Sequence, residues 1–239
     1  MKPRQPPSQA EAVILAGGRG TRLRDVIGNL PKVIARVGGR PLLFHLLDRL
    51  GAQGVGLAVL ALGHGHQEVA DCLKGRSESI PRTTTVVEKT PLGTAGAVRF
   101  AASRLSSDPF FVLNGDTYSR VPLDALMSFH LERRALVTIA ATGRSDPGRY
   151  GSLETDAAGR VVRFREKGVA EPGLVNAGTY VVSRSVLAGI PDGTNLSWEN
   201  DILPGLVGHG LFAFEGTFEF LDIGTPESYR EASRFLECK

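Results

Sequence analysis

The sequence predicts an α/β fold: a Rossmann-like, mostly parallel mixed sheet with helices on both faces and a smaller β-rich cap. Through the first half of the chain, short apolar runs alternate with amphipathic helical segments, a pattern typical of parallel sheets covered on both faces. Beyond about Tyr150 the apolar runs are closely spaced, which indicates strands with few intervening helices. The 29 glycines among 239 residues suit many tight connections between such elements.

In the first half, strands are predicted wherever an apolar run of strand length is bounded by turn residues. These runs lie at Ala12–Ala16, Gly56–Leu62, Thr84–Glu88, Phe110–Asn114 and Leu136–Ala141. Helical spacing of apolar residues predicts helices at Pro41–Gly51, His66–Leu73, Ala95–Leu105 and Leu123–Glu132. The first helix has proline at its start and Gly54 beyond its end, which are the usual boundary signals.

The second half begins with a predicted hairpin, Gly151–Thr155 and Val161–Glu166, around the turn Asp156–Gly159. Further strands are expected at Leu174–Val182, Phe212–Phe214 and Phe218–Asp222, and helices at Ser185–Ala188, Trp198–Leu206 and Pro226–Leu236. These elements interleave too closely for an independent domain. We therefore expect residues 1–11 to form a flexible tail and 12–239 a single domain, in which 12–149 and 150–225 are two halves and 226–239 is a final helix.

Composition excludes several classes of protein. The formal net charge is only +3 and no long basic block occurs, so nucleic-acid binding is not implied. Cys72 and Cys238 form neither a disulfide framework nor a metal-ligand cluster, which fits a reducing compartment. No apolar run reaches membrane-spanning length. We expect a cytoplasmic protein that binds neither nucleic acid nor membrane, with homo-oligomerisation left open.

A glycine-rich loop, Gly17–Leu23, follows the first predicted strand. Its glycines let backbone N–H groups approach an anion closely, and Arg19 and Arg22 add positive charge, so the loop is a candidate triphosphate cradle. It lacks the Lys-Ser or Lys-Thr of a P-loop, and Leu23 replaces the last glycine of the dinucleotide fingerprint. The alternative is a simple turn that closes a strand–helix unit.

Three charged residues are candidates for phosphate and metal chemistry. Asp116 follows the strand Phe110–Asn114, and Asp222 follows a later apolar run. Carboxylates at such places suit Mg²⁺, although a plain turn and a helix N-cap are the respective alternatives. Lys32 would reach back to β- or γ-phosphates, or would be an ordinary solvated lysine.

Two further segments carry candidate binding residues. Glu88 offers only acceptors when ionised and would pair with N1–H and the N2 amino group of guanine, while Gly93 and Gly96 would let a flat base approach the backbone. Glu166 and Lys167 would divide the binding of sugar hydroxyls and sugar phosphate. The alternatives are a local salt bridge for Glu88 and a solvated surface pair for Glu166 and Lys167.

Several motifs together resemble the sugar-1-phosphate nucleotidyltransferases, in the order in which that family carries them, and the resemblance runs from about Ala12 to Leu236. These motifs are Gly17–Leu23, Pro31-Lys32, Pro91–Gly96, Asn114-Gly115-Asp116, Glu166-Lys167 and Asn176-Ala177-Gly178. The branch that uses GTP and a heptose 1-phosphate is the most similar. Its pointers are Arg149-Tyr150-Gly151, Phe164–Lys167, Ser197-Trp198-Glu199 and Leu221–Tyr229.

The resemblance implies a Mg²⁺-dependent reaction of GTP with a sugar 1-phosphate that releases pyrophosphate. It assigns catalysis to Arg22, Lys32, Asp116 and Asp222, the two aspartates also holding the metal. Nucleotide binding is assigned to Leu15, Ala16, Gly17, Gly18, Gly20, Thr21, Arg22, Lys32, Glu88, Pro91, Gly93, Thr94, Asn114 and Gly115. Sugar-phosphate binding is assigned to Tyr150, Gly151, Glu166, Lys167, Asn176, Ala177 and Glu199. Residues 12–149 then form the nucleotide-binding half and 150–225 the sugar-binding half.

Two alternatives remain beside this interpretation. Another member of the family would use mannose, glucose or N-acetylmuramate 1-phosphate with GTP, dTTP or UTP. Ala95 stands where the heptose branch often has glycine, which leaves the branch open. A catalytically silent homologue that binds a nucleotide sugar and regulates a partner is the second alternative, and the presence of all the charged motif residues argues against it.

Overall fold

The computed structural model describes residues 10–18, 20–76, 81–144, 152–165 and 173–237. Its strands are β1 (Ala10–Leu15), β2 (Arg36–Val37), β3 (Arg40–Pro41), β4 (Val55–Leu62), β5 (Arg82–Val87), β6 (Phe110–Asn114), β7 (Thr117–Ser119), β8 (Val137–Arg144), β9 (Ser152–Thr155), β10 (Val161–Arg165), β11 (Gly173–Val182), β12 (Leu211–Glu215) and β13 (Phe220–Asp222). Its α-helices are α1 (Arg24–Ile27), α2 (Leu42–Ala52), α3 (His66–Lys74), α4 (Gly93–Ala102), α5 (Leu123–Arg133) and α6 (Pro226–Glu237). Shorter helical turns lie at Thr21–Leu23, Lys32–Ile34, Arg184–Gly189, Trp198–Ile202 and Leu203–Leu206.

The centre of the molecule is a sheet in which β6, β1, β4 and β5 run parallel to one another. Alternate residues of β1 enter different cores: Ile14 packs with Leu46 of α2, whereas Val13 packs with Val98 of α4. Both β1 residues are fully buried. Helices therefore cover both faces of a sheet whose central strands are largely buried, and this confirms the predicted α/β class.

The strands of the second half continue the same sheet. β11 runs antiparallel to β6, and β8 and β12 extend the sheet beyond β11. The hairpin β9–β10 pairs with the first part of β11. The predicted cap is thus part of one nine-stranded sheet, in which β11 is antiparallel to β6 and β8 while β12 is parallel to β8. A two-stranded pair, β7–β13, lies outside that sheet.

Some elements differ from the prediction for identifiable reasons. β1 begins at Ala10, inside the expected tail, and the Glu11 carboxylate accepts hydrogen bonds from the backbone N–H groups of Ser106 and Ser107, both at 2.6 Å. The helix predicted over Trp198–Leu206 is instead a π-helical turn followed by a 3-10 turn, because Pro204 lacks the N–H that a continuous α-helix would need. The two-residue strands and β7 were too short to show a period in the sequence.

Within the described residues, no helix combines the length and the apolar character needed to cross a bilayer.

Candidate active site

A cavity of about 430 Å³ opens where β1, β5 and β6 end. Ligands bind at this edge of open α/β sheets because the loops that follow parallel strands meet there. Most residues expected in the nucleotide site line it: Leu15, Ala16, Gly17, Gly18, Gly20, Lys32, Glu88, Pro91, Gly93, Thr94, Asn114 and Gly115. Asp116 and Glu199 line it as well. The structure thus brings together segments that are far apart in sequence.

The glycine-rich loop forms one wall of the cavity. Gly20 has a positive φ of 59°, and the aliphatic stem of Lys32 packs so closely against it that a Cβ there would lie 3.0 Å from Lys32 Cγ. At Gly18 a Cβ would meet nothing within 4 Å. The loop consequently presents open backbone to the cavity at Gly18 and supports the lysine at Gly20.

Lys32 and Asp116 form an ion pair inside the cavity. Lys32 Nζ lies 3.0 Å from Asp116 Oδ2, and the lysine side chain is only 13% exposed. The 3-10 turn Lys32–Ile34 carries the lysine, and its buried residues Val33 and Ile34 anchor the turn in the core, while Asp116 follows the end of β6. A cation and a carboxylate are therefore held together in the cavity wall beside the glycine-rich loop.

Asp222 lies beside Asp116 in the tertiary structure although 106 positions separate them in sequence. Asp222 pairs with Thr117 across β13 and β7, and the Ile223 N–H donates a 2.9 Å hydrogen bond to the Asp116 carbonyl oxygen. One oxygen of the Asp222 carboxylate accepts a hydrogen bond from the Gly224 N–H. Carboxylate oxygens are the ligands that a hard ion such as Mg²⁺ prefers, so these two residue types fit that ion. Within the described residues, no group of three or more acidic, histidine or cysteine side chains suited to a metal occurs.

Glu88 lies at the opposite end of the glycine loop from Lys32. Its Oε2 accepts a 3.0 Å hydrogen bond from the Leu92 N–H, and its Oε1 lies close to Gly17 and Gly63. A Cβ on Gly17 would lie 3.1 Å from that oxygen. Glu88 is therefore fixed in position by local backbone while it remains in the cavity wall.

The glycines in the first turn of α4 allow residues 194–196 to pack closely against that helix. A Cβ on Gly96 would lie 2.6 Å from the Thr194 carbonyl oxygen, and one on Gly93 would overlap Leu196 and lie 2.6 Å from Asn195 Oδ1. Gly96 is buried and does not line the cavity. The interpretation that Gly96 admits a flat base is corrected accordingly, because the close approach is made by residues 194–196.

Residues 194–199 form a strap across the start of α4. The Ala95 N–H donates to the Leu196 carbonyl at 2.8 Å, and the Trp198 N–H donates to Thr94 Oγ1 at 2.6 Å. Thr94, expected to bind the nucleotide, thus has its hydroxyl oxygen engaged by this strap. The strap carries Glu199 into the cavity wall.

The motif Asn176-Ala177-Gly178 forms an irregularity in β11. The register against β8 shifts between Asn176 and Tyr180, and Gly178 has a positive φ of 66°, which favours glycine. The Gly178 N–H donates to Asn176 Oδ1 at 2.9 Å, so the amide oxygen faces the backbone and the amide nitrogen is free to donate elsewhere. Ala177, expected in the sugar site, is fully buried and its side chain cannot reach a ligand.

Not every expected residue is placed at the cavity. Arg22 is exposed in the turn Thr21–Leu23, because the adjacent Leu23 is buried in the core, and Arg22 does not line the cavity. Asn176 and Asp222, the second expected metal carboxylate, are likewise absent from the lining. The structure does not describe the side chain of Thr21. Five expected residues lie outside the described ranges: Arg19, Tyr150, Gly151, Glu166 and Lys167.

The sequence reasoning missed six lining residues: Val33, Ala97, Tyr180, Asn195, Ser197 and Trp198. Two of them, Ser197 and Trp198, stand next to Glu199 in a motif already noted for its resemblance. Tyr180 follows the glycine of the β11 irregularity by two positions, the spacing at which strand residues share a face, and this signal would have identified it.

The fold and the arrangement of this cavity define a nucleotidyl transferase. The family model for nucleotidyl transferases matches residues 11–239, and the chain belongs to that family.

Two guanylyltransferases are similar to this chain over most of its length. The D-glycero-alpha-D-manno-heptose 1-phosphate guanylyltransferase of Aneurinibacillus thermoaerophilus is 31% identical over 95% of this chain and 98% of the relative. The mannose-1-phosphate guanylyltransferase of Mycobacterium tuberculosis is 35% identical over 95% of this chain but 65% of the relative, so the chain spans about two thirds of that protein's length.

Among solved structures, HddC from Yersinia pseudotuberculosis superimposes with a TM-score of 0.86 at 34% identity and covers 95% of this chain and 99% of HddC. A second structure of HddC is complexed with GMP-PN and is equally similar, with a TM-score of 0.86. The inositol-1-phosphate CTP transferase of T. maritima, at 24% identity and a TM-score of 0.77, shares the fold. The nucleotidyltransferase fold predicted from the motifs is thereby confirmed.

Proposed function

We propose that the protein is a Mg²⁺-dependent sugar-1-phosphate guanylyltransferase that converts GTP and D-glycero-α-D-manno-heptose 1-phosphate into GDP-heptose and pyrophosphate. The observation that carries this proposal is that one cavity is lined by open glycine backbone, by the Lys32–Asp116 ion pair and by the fixed carboxylate of Glu88. Guanylyltransferases of two manno-configured sugar phosphates among the relatives support it, as does the GMP-PN complex of HddC.

The proposed reaction needs no protein nucleophile. A phosphate oxygen of the sugar 1-phosphate attacks the α-phosphorus of GTP, and the bond from that phosphorus to the pyrophosphate oxygen breaks on the opposite side. Two polyanions repel each other at contact, so catalysis consists of neutralising charge and holding the reactants in line. When bound by Asp116 and Asp222, Mg²⁺ would withdraw charge from the phosphate oxygens.

The chain's own residues supply the remaining interactions in this proposal. Backbone N–H groups of the loop at Gly17 and Gly18 point toward the triphosphate, and Lys32 leaves Asp116 to neutralise the departing pyrophosphate. Glu88 keeps Oε2 on the Leu92 N–H and offers Oε1 to the N1–H and amino group of guanine. Uracil and thymine, with one N–H on that edge, would use this acceptor less fully.

Mannose 1-phosphate is the second candidate substrate, because the mannose-1-phosphate enzyme has the higher identity of the two relatives. The deciding experiment measures pyrophosphate release from GTP, dTTP and UTP, each with heptose, mannose, glucose and N-acetylmuramate 1-phosphates. We expect the highest kcat/KM for GTP with the heptose 1-phosphate. A higher value for mannose would select the second candidate, and no release with any pair would reject enzymatic function.

A matched pair of variants tests the site itself. Asp116→Asn removes a carboxylate charge in the cavity, and we expect turnover to fall by ~10²-fold or more, the scale for losing one electrostatic stabiliser. Asp124→Asn makes the same change at an exposed position of α5, away from the cavity lining, and serves as the control. Equal turnover in the two variants would contradict the proposed site.

A further inference from the structure

A buried tyrosine lies behind the strap residue Glu199. Tyr180 is 0% exposed and stands on β11, and its ring meets Trp198 edge-to-face with a centroid distance of 6.3 Å. A buried phenol hydroxyl needs hydrogen-bond partners, because leaving it unpaired is costly. Its partners here come from three separate elements: Asn176 on β11, Glu199 on the strap and Asn114 at the end of β6.

The hydroxyl of Tyr180 donates to Glu199 Oε1 at 3.2 Å and accepts from Asn176 Nδ2 at 2.7 Å. Asn176 Nδ2 also donates to Glu199 Oε1, at 3.3 Å. The direction of each bond is fixed, because the Asn176 amide oxygen is already occupied by the Gly178 N–H. Burial, followed by repulsion from Glu199, raises the pKa of Tyr180, so the hydroxyl remains a proton donor at neutral pH.

The two carboxylate oxygens of Glu199 differ in the hydrogen bonds that they accept. Oε1 receives both protein donors, whereas Oε2 has no hydrogen-bond partner among residues 10–18, 20–76, 81–144, 152–165 and 173–237. Glu199 itself lines the cavity and is exposed. An ionised carboxylate only accepts hydrogen bonds, so the ligand group that meets it must be a donor, such as a sugar hydroxyl.

We propose that Tyr180 is a positioning residue that fixes Glu199 as the acceptor for one particular hydroxyl of the sugar 1-phosphate. This inference rests on the proposed function. It deepens that function by assigning part of the sugar discrimination to a buried residue that acts through Glu199. A rigid acceptor rejects a sugar that lacks the matching hydroxyl, because its oxygen then stays desolvated and unpaired.

The test measures discrimination among sugars rather than activity alone. Mannose 1-phosphate and its monodeoxy analogues are titrated calorimetrically into the full-length protein with GMP-PN present, and KM values are measured in parallel with GTP. In the wild-type protein we expect one deoxy analogue to bind about tenfold more weakly than the parent, the scale of a hydrogen bond to a charged group. Tyr180→Phe and Glu199→Ala should both reduce that particular penalty to about threefold or less.

Controls separate this role from a structural one. Tyr229→Phe removes the same atom from a tyrosine whose hydroxyl donates to the Arg36 carbonyl away from the cavity, and it should keep the full penalty. In Tyr180→Phe the KM for the parent sugar 1-phosphate should rise by a larger factor than the KM for GTP, whereas a general loss of structure would raise both. Glu199→Ala changes an exposed residue and covers the case in which Tyr180→Phe fails to fold.

The outcomes of this test are distinct. An unchanged penalty in Glu199→Ala, or in a folded Tyr180→Phe, overturns the positioning role while the proposed function stands. Binding discrimination that depends on Tyr180 without pyrophosphate release keeps the positioning role and rejects the enzymatic function. Failure of the wild-type protein to bind any sugar 1-phosphate overturns both.

Discussion

His130 makes the stability of this protein depend on pH in a way that can be calculated. The imidazole is 2% exposed between α5 and the sheet, with Nδ1 at 2.9 Å from Thr138 Oγ1 and Nε2 at 3.0 Å from Ser183 Oγ. Burial lowers the pKa of His130 from its ordinary 6.5 to about 4, because a charged ring would lose its hydration. The folded protein therefore holds His130 neutral across the range in which the unfolded chain takes up a proton.

The sign and size of the effect follow from that difference in pKa. Above pH 6.5 both states hold a neutral ring and the stability is complete, and stability falls as the pH decreases from 6.5 toward about 4. With these two pKa values, linkage gives a loss of about 2 kcal/mol between pH 7 and pH 5. That loss is a large fraction of a typical domain's free energy of unfolding.

Equilibrium denaturation checks this prediction, with the buried single tryptophan, Trp198, as the fluorescence probe. The free energy of unfolding is measured at pH 7 and pH 5 for the wild type and for His130→Asn, whose side chain cannot titrate. The variant is expected to be less stable at pH 7, since it disturbs two buried hydrogen bonds. Between pH 7 and pH 5, however, the wild type should lose about 2 kcal/mol more than the variant. Parallel losses in the two proteins would refute the reasoning.

Three further predictions concern the cavity. Lys32→Met should lower turnover by ~10²-fold, because it removes the cation proposed to neutralise pyrophosphate. Lys74→Met, at an exposed position of α3, is the control and should leave turnover unchanged. Equal turnover of the two variants in a pyrophosphate assay would contradict the role proposed for Lys32. Gly93→Ala should lower the free energy of unfolding by roughly 2 kcal/mol or more, because of its positive φ and the overlap with the strap. Gly189→Ala, with open space at its Cβ, is the control, and equal denaturation midpoints would show the overlap to be harmless. Glu88→Gln should reduce the preference for GTP over ATP in calorimetric binding by about tenfold, and an unchanged ratio would remove Glu88 from base recognition.

Local sequence patterns were sufficient for the parallel half of the fold. A buried strand such as β6 must be apolar along its length, and α4 and α5 repeat apolar residues at helical spacing, so these elements can be recognised without tertiary information. The loop at Gly17–Leu23 was recognisable for a related reason, since its glycines follow directly after a buried strand.

Some residues of the candidate site could be predicted from residue type alone, whereas the surroundings of others depend on segments that are distant in sequence. Residues whose proposed role is chemical, such as Lys32, Asp116 and Glu88, could be selected from the sequence because few other residue types would perform those roles. The purpose of Gly96 could not be deduced, because its neighbour is the carbonyl oxygen of Thr194, nearly a hundred positions further along the chain. The same limit applied to Thr94, whose hydroxyl oxygen is taken by the Trp198 N–H.

Spacing and residue type within a few positions were enough to predict the strands and helices of the parallel sheet and the chemical character of the residues at their ends. Three contacts could be seen only in the folded molecule: the backbone of Asp222 runs next to that of Asp116, Lys32 pairs with Asp116, and Tyr180 donates to Glu199. Those contacts join segments on different strands and turns, and they form only when burial of the two cores brings the loops to one edge of the sheet.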